Sequence, residues 1–364
     1  MTKTNELKKW MVMSLVAAAA ILHNAAVAAA EPQAPCLFIF GDSLIDPGNN
    51  NGMETLARVD FRPYGIDFPL GATGRFSNGK TVADFIAELL GFEDYIPSYL
   101  TARGDQILKG VNYASAAAGI RAETGRHWGN RTSFDGQLQN FNNTVQQITG
   151  LLGSRRAASD HLRKCVYISA IGNNEFINNY FLTLFYNTSK VYTIEEYMRL
   201  VLKQYSEQLE VLYTLGARKI AIIGTAPLGC IPINVVLNSY DGNSCVESNN
   251  LASQLYNKKL QAKIDVFNAM FPDAQFTYID GYNPMSDVYH NAEAYGFIVK
   301  TRACCGSSVI CLPNDGICIN RRQYLYWDFA HPSEAACLLV ARRAYQSQKP
   351  TDAYPYDLRS LALL

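Results

Sequence analysis

The sequence has 364 residues, of which 48% are hydrophobic, 18% charged and 12% aromatic. This composition excludes disordered chains, which contain too few apolar residues for a core, and collagen-like chains, which need a glycine repeat. The 32 Lys and Arg residues balance the 32 Asp and Glu residues, so the formal net charge is zero. A neutral chain has no sequence-independent attraction to a phosphate backbone, and we expect no nucleic-acid partner.

The first thirty residues have the pattern of a cleaved secretory signal peptide. Lysines precede an apolar run from Trp10 to Leu22, and small residues follow up to Ala30. The strongly apolar part is too short to anchor the chain in a bilayer, which takes about 18 residues. We therefore predict a signal peptide over residues 1–30 and a secreted, extracellular mature chain over residues 31–364, without an integral membrane segment.

Three asparagines become candidate glycosylation sites if the chain is secreted. Asn130, Asn142 and Asn187 each begin an Asn-x-Ser/Thr sequence, the acceptor pattern for N-linked glycans. We expect a glycan on one or more of them.

Six of the nine cysteines lie in loops rich in glycine, proline and asparagine. In an oxidising compartment they predict three disulfides, with fifteen connectivities open. Cys230 and Cys245 are favoured as a pair because both lie on one short excursion of the chain. Adjacent Cys304 and Cys305 should not bridge each other, since vicinal bridges are strained, and would pair with the remaining two in either order. The six are Cys230, Cys245, Cys304, Cys305, Cys311 and Cys318.

The other three cysteines lie in regular patterns. Cys36 and Cys165 belong to apolar strand-like runs and Cys337 to a helical pattern, so we expect all three to be buried thiols. Zinc binding is the weaker alternative, because no Cys-x-x-Cys pair occurs and the five histidines are scattered. We therefore expect neither a metal nor a cofactor.

Five short runs rich in β-branched and aromatic residues alternate with longer helical patterns. Such runs predict buried strands, and their alternation with helices favours a parallel sheet. We predict an α/β fold with a doubly wound, flavodoxin-like sheet of five parallel strands flanked by helices. No low-complexity linker divides the chain, so residues 31–364 should form one domain. The predicted strands are Cys36–Phe40, Val111–Ala114, Cys165–Ala170, Lys219–Ile223 and Gln275–Ile279.

Helical spacing of apolar residues predicts three long helices between these strands. The first covers Val82–Leu90. The second begins after Thr193, which forms a capping-box pattern with Glu196. The third runs from about Asn250 to Phe271. The tail after Lys349 contains two prolines and is expected to be an irregular surface segment.

Several polar or glycine-rich stretches follow the predicted strands. Gly41-Asp42-Ser43-Leu44 follows the first strand, which places Ser43 at a carboxyl end, where open α/β sheets bind ligands. A serine at this position is often only a helix N-cap. The stretches 111–120, 172–175 and 328–332 follow later strands, however, and would meet Ser43 at the same edge of the sheet.

In these stretches the sequence resembles the plant GDSL esterase/lipase family within the SGNH hydrolase superfamily. The resemblance covers nearly the whole mature chain, and its blocks appear in the family's order. It implies a nucleophile at Ser43, an Asp328 and His331 pair, and an oxyanion hole formed by Ser43, Gly119 and Asn174. Further matching stretches are Gly48–Asn51, Gly74–Thr81, Pro227–Cys230 and Tyr326–Asp328.

The chemistry of these residue types agrees with the implied roles. A serine hydroxyl becomes a nucleophile when an imidazole takes its proton, and a carboxylate fixes the imidazole tautomer. Asp328 and His331 are three residues apart, close enough for contact if the segment turns. The side-chain amide of Asn174 could donate to a developing oxyanion.

Two acidic residues are candidates for supporting the site. Asp42 precedes Ser43, and Glu175 follows Asn174. Glu175 departs by one methylene from the resembled family's Gly-x-Asn-Asp pattern. It is either a support of the oxyanion loop or a solvated residue at which Asp and Glu are interchangeable.

Competing motifs point to other kinds of site. Residues 74–81 match the phosphate-binding P-loop pattern, and residues 276–280 loosely resemble a metal-binding strand end. A P-loop must follow a strand, whereas residues 61–73 have no strand pattern, so we expect Gly79–Thr81 to begin a helix. The Gly-x-Ser-x-Gly elbow is absent, which disfavours the α/β-hydrolase type of lipase.

The sequence thus favours a secreted serine esterase or lipase that hydrolyses lipid or plant acyl esters through an acyl-enzyme on Ser43. An acyltransferase that uses the same acyl-enzyme with an alcohol acceptor is the alternative. A catalytically silent lipid- or glycan-binding protein on the same fold is a third hypothesis. The resemblance implies the apoplast or cell wall as the location. The expected partner is a small-molecule or lipid ester, whereas the oligomeric state does not follow from the sequence.

Overall fold

The central sheet has four parallel strands and one antiparallel strand at its edge. The structure is a computed structural model that describes residues 31–306 and 309–364. Its strands are β1 (Leu37–Gly41), β2 (Val166–Ala170), β3 (Lys219–Ile223), β4 (Gln275–Ile279), β5 (Val299–Ala303), β6 (Tyr324–Tyr326) and β7 (Ala353–Tyr354). The central sheet has the order β1-β2-β3-β4-β7, and β5 pairs with β6 in a separate sheet. Four of the five predicted strands therefore coincide with β1 to β4 to within one residue.

The prediction of a fifth parallel strand at Val111–Ala114 is wrong. The segment runs beside β1, where the Ile39 N–H donates to Val111 O at 3.0 Å, but it forms only isolated bridges. Side-chain amides explain the difference, because Asn49 Nδ2 donates to two carbonyls of this region, at 2.9 and 2.8 Å. The Asn112 carbonyl also accepts the Tyr99 N–H at 2.9 Å, so the segment pairs with β1 and with residues 97–99 only at single positions.

The fifth strand of the central sheet comes from the tail, which we predicted to be irregular. β7 pairs antiparallel with β4. The chain then enters a short helix in which Leu358 and Leu361 are buried. Asp357 caps that helix by accepting the Ser360 N–H at 2.8 Å. The i, i+3 spacing of apolar residues after a capping side chain outweighs the two prolines.

Helices cover both faces of the central sheet. Alternate side chains of a strand point to opposite faces, so each face has its own core. Phe38, Phe40 and Tyr167 pack on one face with the helices over Phe134–Leu151 (α2), Ile194–Thr214 (α6) and Glu247–Met270 (α8). Leu37 and Ile39 pack on the other face with the helices over Val82–Leu89 (α1), Glu334–Tyr345 (α10) and Leu358–Leu363 (α11). The helices are α1 (Val82–Leu89), α2 (Phe134–Leu151), α3 (Arg155–Leu162), α4 (Asn173–Glu175), α5 (Thr188–Val191), α6 (Ile194–Thr214), α7 (Pro232–Asn238), α8 (Glu247–Met270), α9 (Asn283–His290), α10 (Glu334–Tyr345) and α11 (Leu358–Leu363).

The three predicted long helices correspond to α1, α6 and α8. Thr81 caps α1, and Thr193 caps α6 in a capping box with Glu196, whose carboxylate accepts the Thr193 N–H at 2.9 Å. The α8 helix begins three residues before the predicted start. Local sequence thus determines the ends of α1 and α6, because side chains satisfy the otherwise unpaired N–H groups of the first turn.

Four disulfides join eight of the cysteines. Cys230–Cys245 confirms the predicted pair, and Cys304 and Cys305 bridge away from each other as predicted. Cys337 is a buried free thiol. Cys304 pairs with Cys318, and Cys305 pairs with Cys311.

The prediction that Cys36 and Cys165 are free thiols is wrong, because these residues form the fourth disulfide. They immediately precede Leu37 and Val166, which are paired in the register of β1 and β2. The Cα atoms of the two cysteines are consequently 4.7 Å apart, within the range that a disulfide spans. His161 lies beside the two cysteines, whose sulfur atoms are both bonded in the disulfide.

The remaining predictions concern the surface and the amino terminus. Within the described ranges, no helix combines the length and the apolar character that crossing a membrane requires. Asn130, Asn142 and Asn187 are all exposed, as a glycan requires. The predicted signal peptide lies outside the described residues.

We expect non-reducing peptide mapping to recover Cys36 and Cys165 as one cross-linked pair. Replacing both with alanine should lower the free energy of unfolding by about 2–5 kcal/mol, because the bridge closes a long loop of the unfolded chain. The loop spans 129 positions. Cys337→Ala, which removes the free thiol, is the matched control and should cost less. Recovery of either residue as a free thiol in the native protein would contradict the bridge.

Candidate active site

Ser43 lies in the turn that follows β1, at the carboxyl edge of the sheet. The Leu44 N–H donates to Asp42 Oδ1 at 3.0 Å, and this bond holds the turn. A Cβ atom at position 41 would lie 2.5 Å from Ala170 O, so only glycine permits the close approach of β1 to β2 here. The sequence therefore presents Ser43 from a rigid strand end.

The structure brings Ser43, His331 and Asp328 together. Ser43 Oγ lies 2.8 Å from His331 Nε2. His331 Nδ1 lies 2.8 and 2.9 Å from the two carboxylate oxygens of Asp328. An imidazole held by a carboxylate on one nitrogen and facing a hydroxyl with the other can take the hydroxyl proton.

Asp328 is fully buried and accepts further hydrogen bonds. Its Oδ1 accepts the backbone N–H groups of Ala330 and His331, at 2.9 and 2.7 Å. Its Oδ2 accepts the Tyr64 hydroxyl at 2.6 Å. Burial and the neighbouring Asp328 charge raise the pKa of Tyr64, which keeps this hydroxyl protonated as a donor. Tyr64 was not predicted, because it lies in a stretch without any helical or strand pattern.

The P-loop-like stretch at 74–81 supports the His331 segment. The Glu334 N–H donates to Asn78 Oδ1 at 2.9 Å, and the Glu334 carboxylate accepts the Lys80 N–H at 3.0 Å. Gly79 allows this contact, because a Cβ atom there would lie 2.4 Å from the carboxylate. Thr81 caps α1, which confirms the predicted helix start. The loop backbone is engaged in holding the start of α10, the helix that follows His331.

The possible metal site at 276–280 has a simpler explanation. Asp280 Oδ1 accepts the backbone N–H groups of Tyr282 and Asn283, at 2.7 and 3.1 Å. The carboxylate therefore holds the turn that leads into α9.

Asn174 lies beside Ser43, and both line one cavity. Asn174 Nδ2 donates to Ala118 O at 2.9 Å, which ties it to the loop that carries Gly119. The backbone N–H groups of Ser43 and Gly119 have no hydrogen-bond partner within the described part of the chain. Ser43 and Asn174 therefore line the same cavity, and the Asn174 amide contacts the loop that carries Gly119.

The loop before Gly119 holds a second unpaired amide. Among the residues that the structure describes, Ala117 is the one non-glycine residue with positive φ, at 62°, and its N–H has no partner. The Gly119 N–H belongs to the same peptide as Ala118 O, which faces Asn174, and therefore points to the opposite side. The Gly119 donor stays a prediction, and Ala117 is the other candidate on this loop.

Glu175 is buried, so its interpretation as a solvated residue is wrong. Its Oε1 accepts the Arg121 N–H at 3.1 Å, and its Oε2 accepts the hydroxyls of Thr124 and Tyr197 at 2.8 and 2.7 Å. Burial raises the pKa of Glu175. The carboxyl group also packs directly against Gly119. Glu175 thus joins α4, which carries Asn174, to the glycine loop and to α6.

Asp42 is buried against the site. Burial raises its pKa to about 6, and the Leu44 N–H and the nearby His331 offset part of that effect. Its role as a supporting residue of the site stays a prediction.

An apolar cavity adjoins Ser43 and His331. Hydrophobic side chains from several loops and helices line it. Tyr326 also lines it, and its buried hydroxyl has no hydrogen-bond partner among the described residues. The main apolar lining residues are Leu44, Ile177, Leu228, Ile231, Met285 and Val340.

Comparison with known proteins agrees with this geometry. The family model described as GDSL-like lipase/acylhydrolase matches residues 37–344. One GDSL esterase/lipase of Arabidopsis thaliana is 48% identical over 359 residues, which cover 97% of this chain and 98% of that protein. Two others are 47% identical over 358 residues (97% and 99%) and 49% identical over 342 residues (93% and 94%).

The fold and the comparisons define a carboxylic ester hydrolase. The chain belongs to the GDSL-like lipase/acylhydrolase family.

We expect Glu175→Asp to lower kcat on a simple ester by about 10- to 100-fold, because the shorter side chain withdraws the carboxylate by about 1 Å from the oxyanion loop. The melting temperature should also fall, since three buried donors lose part of their acceptor. Glu207→Asp on the exposed face of α6 is the matched control and should change neither quantity. If kcat of Glu175→Asp stays within about twofold of wild type, Glu175 does not tune the site.

Proposed function

We propose that the protein is a secreted serine esterase or lipase in which Ser43 is the nucleophile, His331 the general base and Asp328 the group that orients His331. The main observation behind this proposal is the 2.8 Å contact between Ser43 Oγ and His331 Nε2. It is supported by the carboxylate on the other ring nitrogen and by the cavity beside the hydroxyl.

In the first half of the reaction, Ser43 Oγ forms a bond to the ester carbonyl carbon while its proton passes to His331 Nε2. The tetrahedral intermediate then breaks the bond to the alkoxide, and His331 returns the proton to the departing alcohol. In the second half, a water molecule attacks the acyl-enzyme with the same proton transfers and releases the acid. Asp328 stabilises the imidazolium that forms twice in this cycle.

The negative oxygen of each tetrahedral intermediate needs donors on the side of Ser43 away from His331. The Ser43 N–H and Asn174 Nδ2 are the proposed donors, and the loop that carries Gly119 supplies a third through the N–H of Gly119 or of Ala117. Each such donor is worth about 3 kcal/mol of transition-state stabilisation in comparable sites. Glu175 supports this group by holding the loop, and Asp42 by its charge near His331.

The apolar cavity favours the acyl part of the substrate. A chain of methylene groups would lie among Ile177, Ile231 and Met285, where water is displaced at a gain of about 0.8 kcal/mol for each CH₂ buried. We therefore propose small-molecule or lipid esters as substrates. No specific feature favours acyl transfer to an alcohol or a silent binding role, and the Arabidopsis relatives carry the name esterase/lipase.

Four disulfides support secretion, because such bridges persist in oxidising compartments. We expect N-terminal sequencing of the protein from the medium of a secreting plant-cell culture to begin near residue 31. Digestion with a glycosidase should reduce its mass. A cell-retained protein that begins at Met1 would contradict secretion.

We expect Ser43→Ala to lower kcat by at least about 1000-fold on ester substrates while the protein stays folded, because no other group can form the acyl-enzyme. A serine-directed fluorophosphonate should label wild type at Ser43 and leave the variant unlabelled. Ser159→Ala, at an exposed serine on α3, is the matched control. Labelling of Ser43→Ala at the wild-type rate would overturn the assignment. Adding acceptor alcohols to the wild-type assay separates hydrolysis from acyl transfer.

A further inference from the structure

The orientation of the Asn174 side chain decides whether it presents a donor to the site. A side-chain amide has a donor end with two N–H groups and an acceptor end. Asn174 Nδ2 donates one N–H to Ala118 O at 2.9 Å. Its Oδ1 accepts Asn178 Nδ2 at 2.7 Å. One N–H of Asn174 is therefore left for an oxyanion, provided that the amide keeps this orientation.

Asn178 has its own orientation fixed by a neighbour. The Trp128 indole Nε1 donates to Asn178 Oδ1 at 3.1 Å. An indole N–H can only donate, so it must face the oxygen end of the Asn178 amide and leave Nδ2 to face Asn174. The Trp128 indole therefore sets the orientation of the Asn178 amide, and Asn178 in turn sets the orientation of the Asn174 amide.

The backbone holds Asn178 where this contact is possible. Residues 176–180 form a wide helical turn, and the Phe181 N–H donates to Phe176 O at 2.9 Å. Asn178 departs from helical geometry inside it, with φ −115° and ψ 20°. The Gly125 N–H also donates to Asn178 O at 3.3 Å, which joins the turn to the loop that carries Trp128. Wide turns of this type occur frequently at functional sites.

We propose that Asn178, oriented by Trp128, is a positioning residue that holds the Asn174 amide with its nitrogen toward the reacting carbonyl. The inference rests on the proposed function, in which Asn174 is an oxyanion donor. Asn178 itself does not need to touch the substrate, since it acts through the oxygen end of Asn174.

An isosteric change gives the sharpest test. Asn178→Asp retains an acceptor for Trp128 but replaces the donor toward Asn174 with a carboxylate oxygen. The Asn174 amide should then reverse, donating to Asp and presenting its oxygen to Ala118 O and to the developing oxyanion. Loss of one oxyanion donor costs about 100- to 1000-fold in kcat. We expect a loss of at least about 100-fold at a nearly unchanged KM.

The order of two variants separates positioning from a merely structural role. Asn178→Ala removes the donor without adding an acceptor, so Asn174 would populate both orientations and kcat should fall by only about 3- to 10-fold. A structural role would give the opposite order, because alanine deletes more contacts than aspartate. Trp128→Phe, which keeps the ring but removes the indole donor, should resemble Asn178→Ala.

A double-mutant cycle completes the experiment. In the Asn174→Ala background, Asn178→Asp and Trp128→Phe should have no further effect on kcat, because their action passes through the missing amide. Melting temperatures identify variants that fail to fold. If the Asn178 variants do not fold, the double-mutant cycle of Trp128→Phe with Asn174→Ala decides the outcome.

The proposal is overturned if Asn178→Ala is worse than Asn178→Asp, or if the losses multiply in the Asn174→Ala background. If Asn174→Ala instead kept the wild-type kcat, Asn174 would not be an oxyanion donor, and that part of the proposed function would be wrong. The Ser43→Ala labelling experiment tests the nucleophile independently of both.

Discussion

The parallel register of β1 and β2 is the constraint on which the site depends. Gly41 is paired with Ala170 at the last position of both strands, so the chain leaves them at the same edge and height. Ser43 and Asn174 follow within a few residues of these two strand ends. Because parallel strands all end at one edge, the proposed nucleophile Ser43 and the proposed oxyanion donor Asn174, which are distant in sequence, lie at the same edge of the sheet.

Buried polar side chains hold the loops at that edge in place of regular secondary structure. Asp46 accepts the N–H groups of Gly48 and Asn49, both at 2.7 Å, and the Ala116 N–H at 2.9 Å. Asn50 Nδ2 donates to Ala57 O at 2.8 Å and to Ala116 O at 3.1 Å. Burial raises the pKa of Asp46 to about 7, even though these three backbone donors lower it. Hydrogen bonds of this kind, buried and satisfied, make a loop rigid.

Such interactions also explain what could be predicted from the sequence. Ser43, Asp328, His331 and Asn174 follow strands or precede a capped helix, so short-range patterns placed them at one edge. The apolar pattern of Val111–Ala114 predicted a strand, but the segment forms only isolated bridges and the Asn49 side chain bonds to two of its carbonyls. The local sequence pattern determines which secondary structure a segment favours, whereas side chains elsewhere in the chain decide which hydrogen-bond partners its backbone has.

The features that sequence could not predict are pairwise and distant. Cys36 and Cys165 were both assigned to strands, yet only the register between those strands shows that the two sulfurs meet. Tyr64 and Asn178 lie in a loop and in an irregular turn whose local sequences have no periodicity. The contact of Tyr64 with Asp328 spans 264 positions and the contact of Asn178 with Trp128 spans 50, so both depend on how separate segments of the chain approach one another.

The distance along the chain between Ser43 and His331 has a consequence for the order of folding. The two residues are 288 positions apart, and the helix that follows His331 packs against α1 near the other end of the described chain. Contacts across such separations form slowly, because closing a long loop is entropically unfavourable. Turnover of a chromogenic ester during refolding would therefore report the arrival of the native topology, whereas compaction and helix formation would already have occurred.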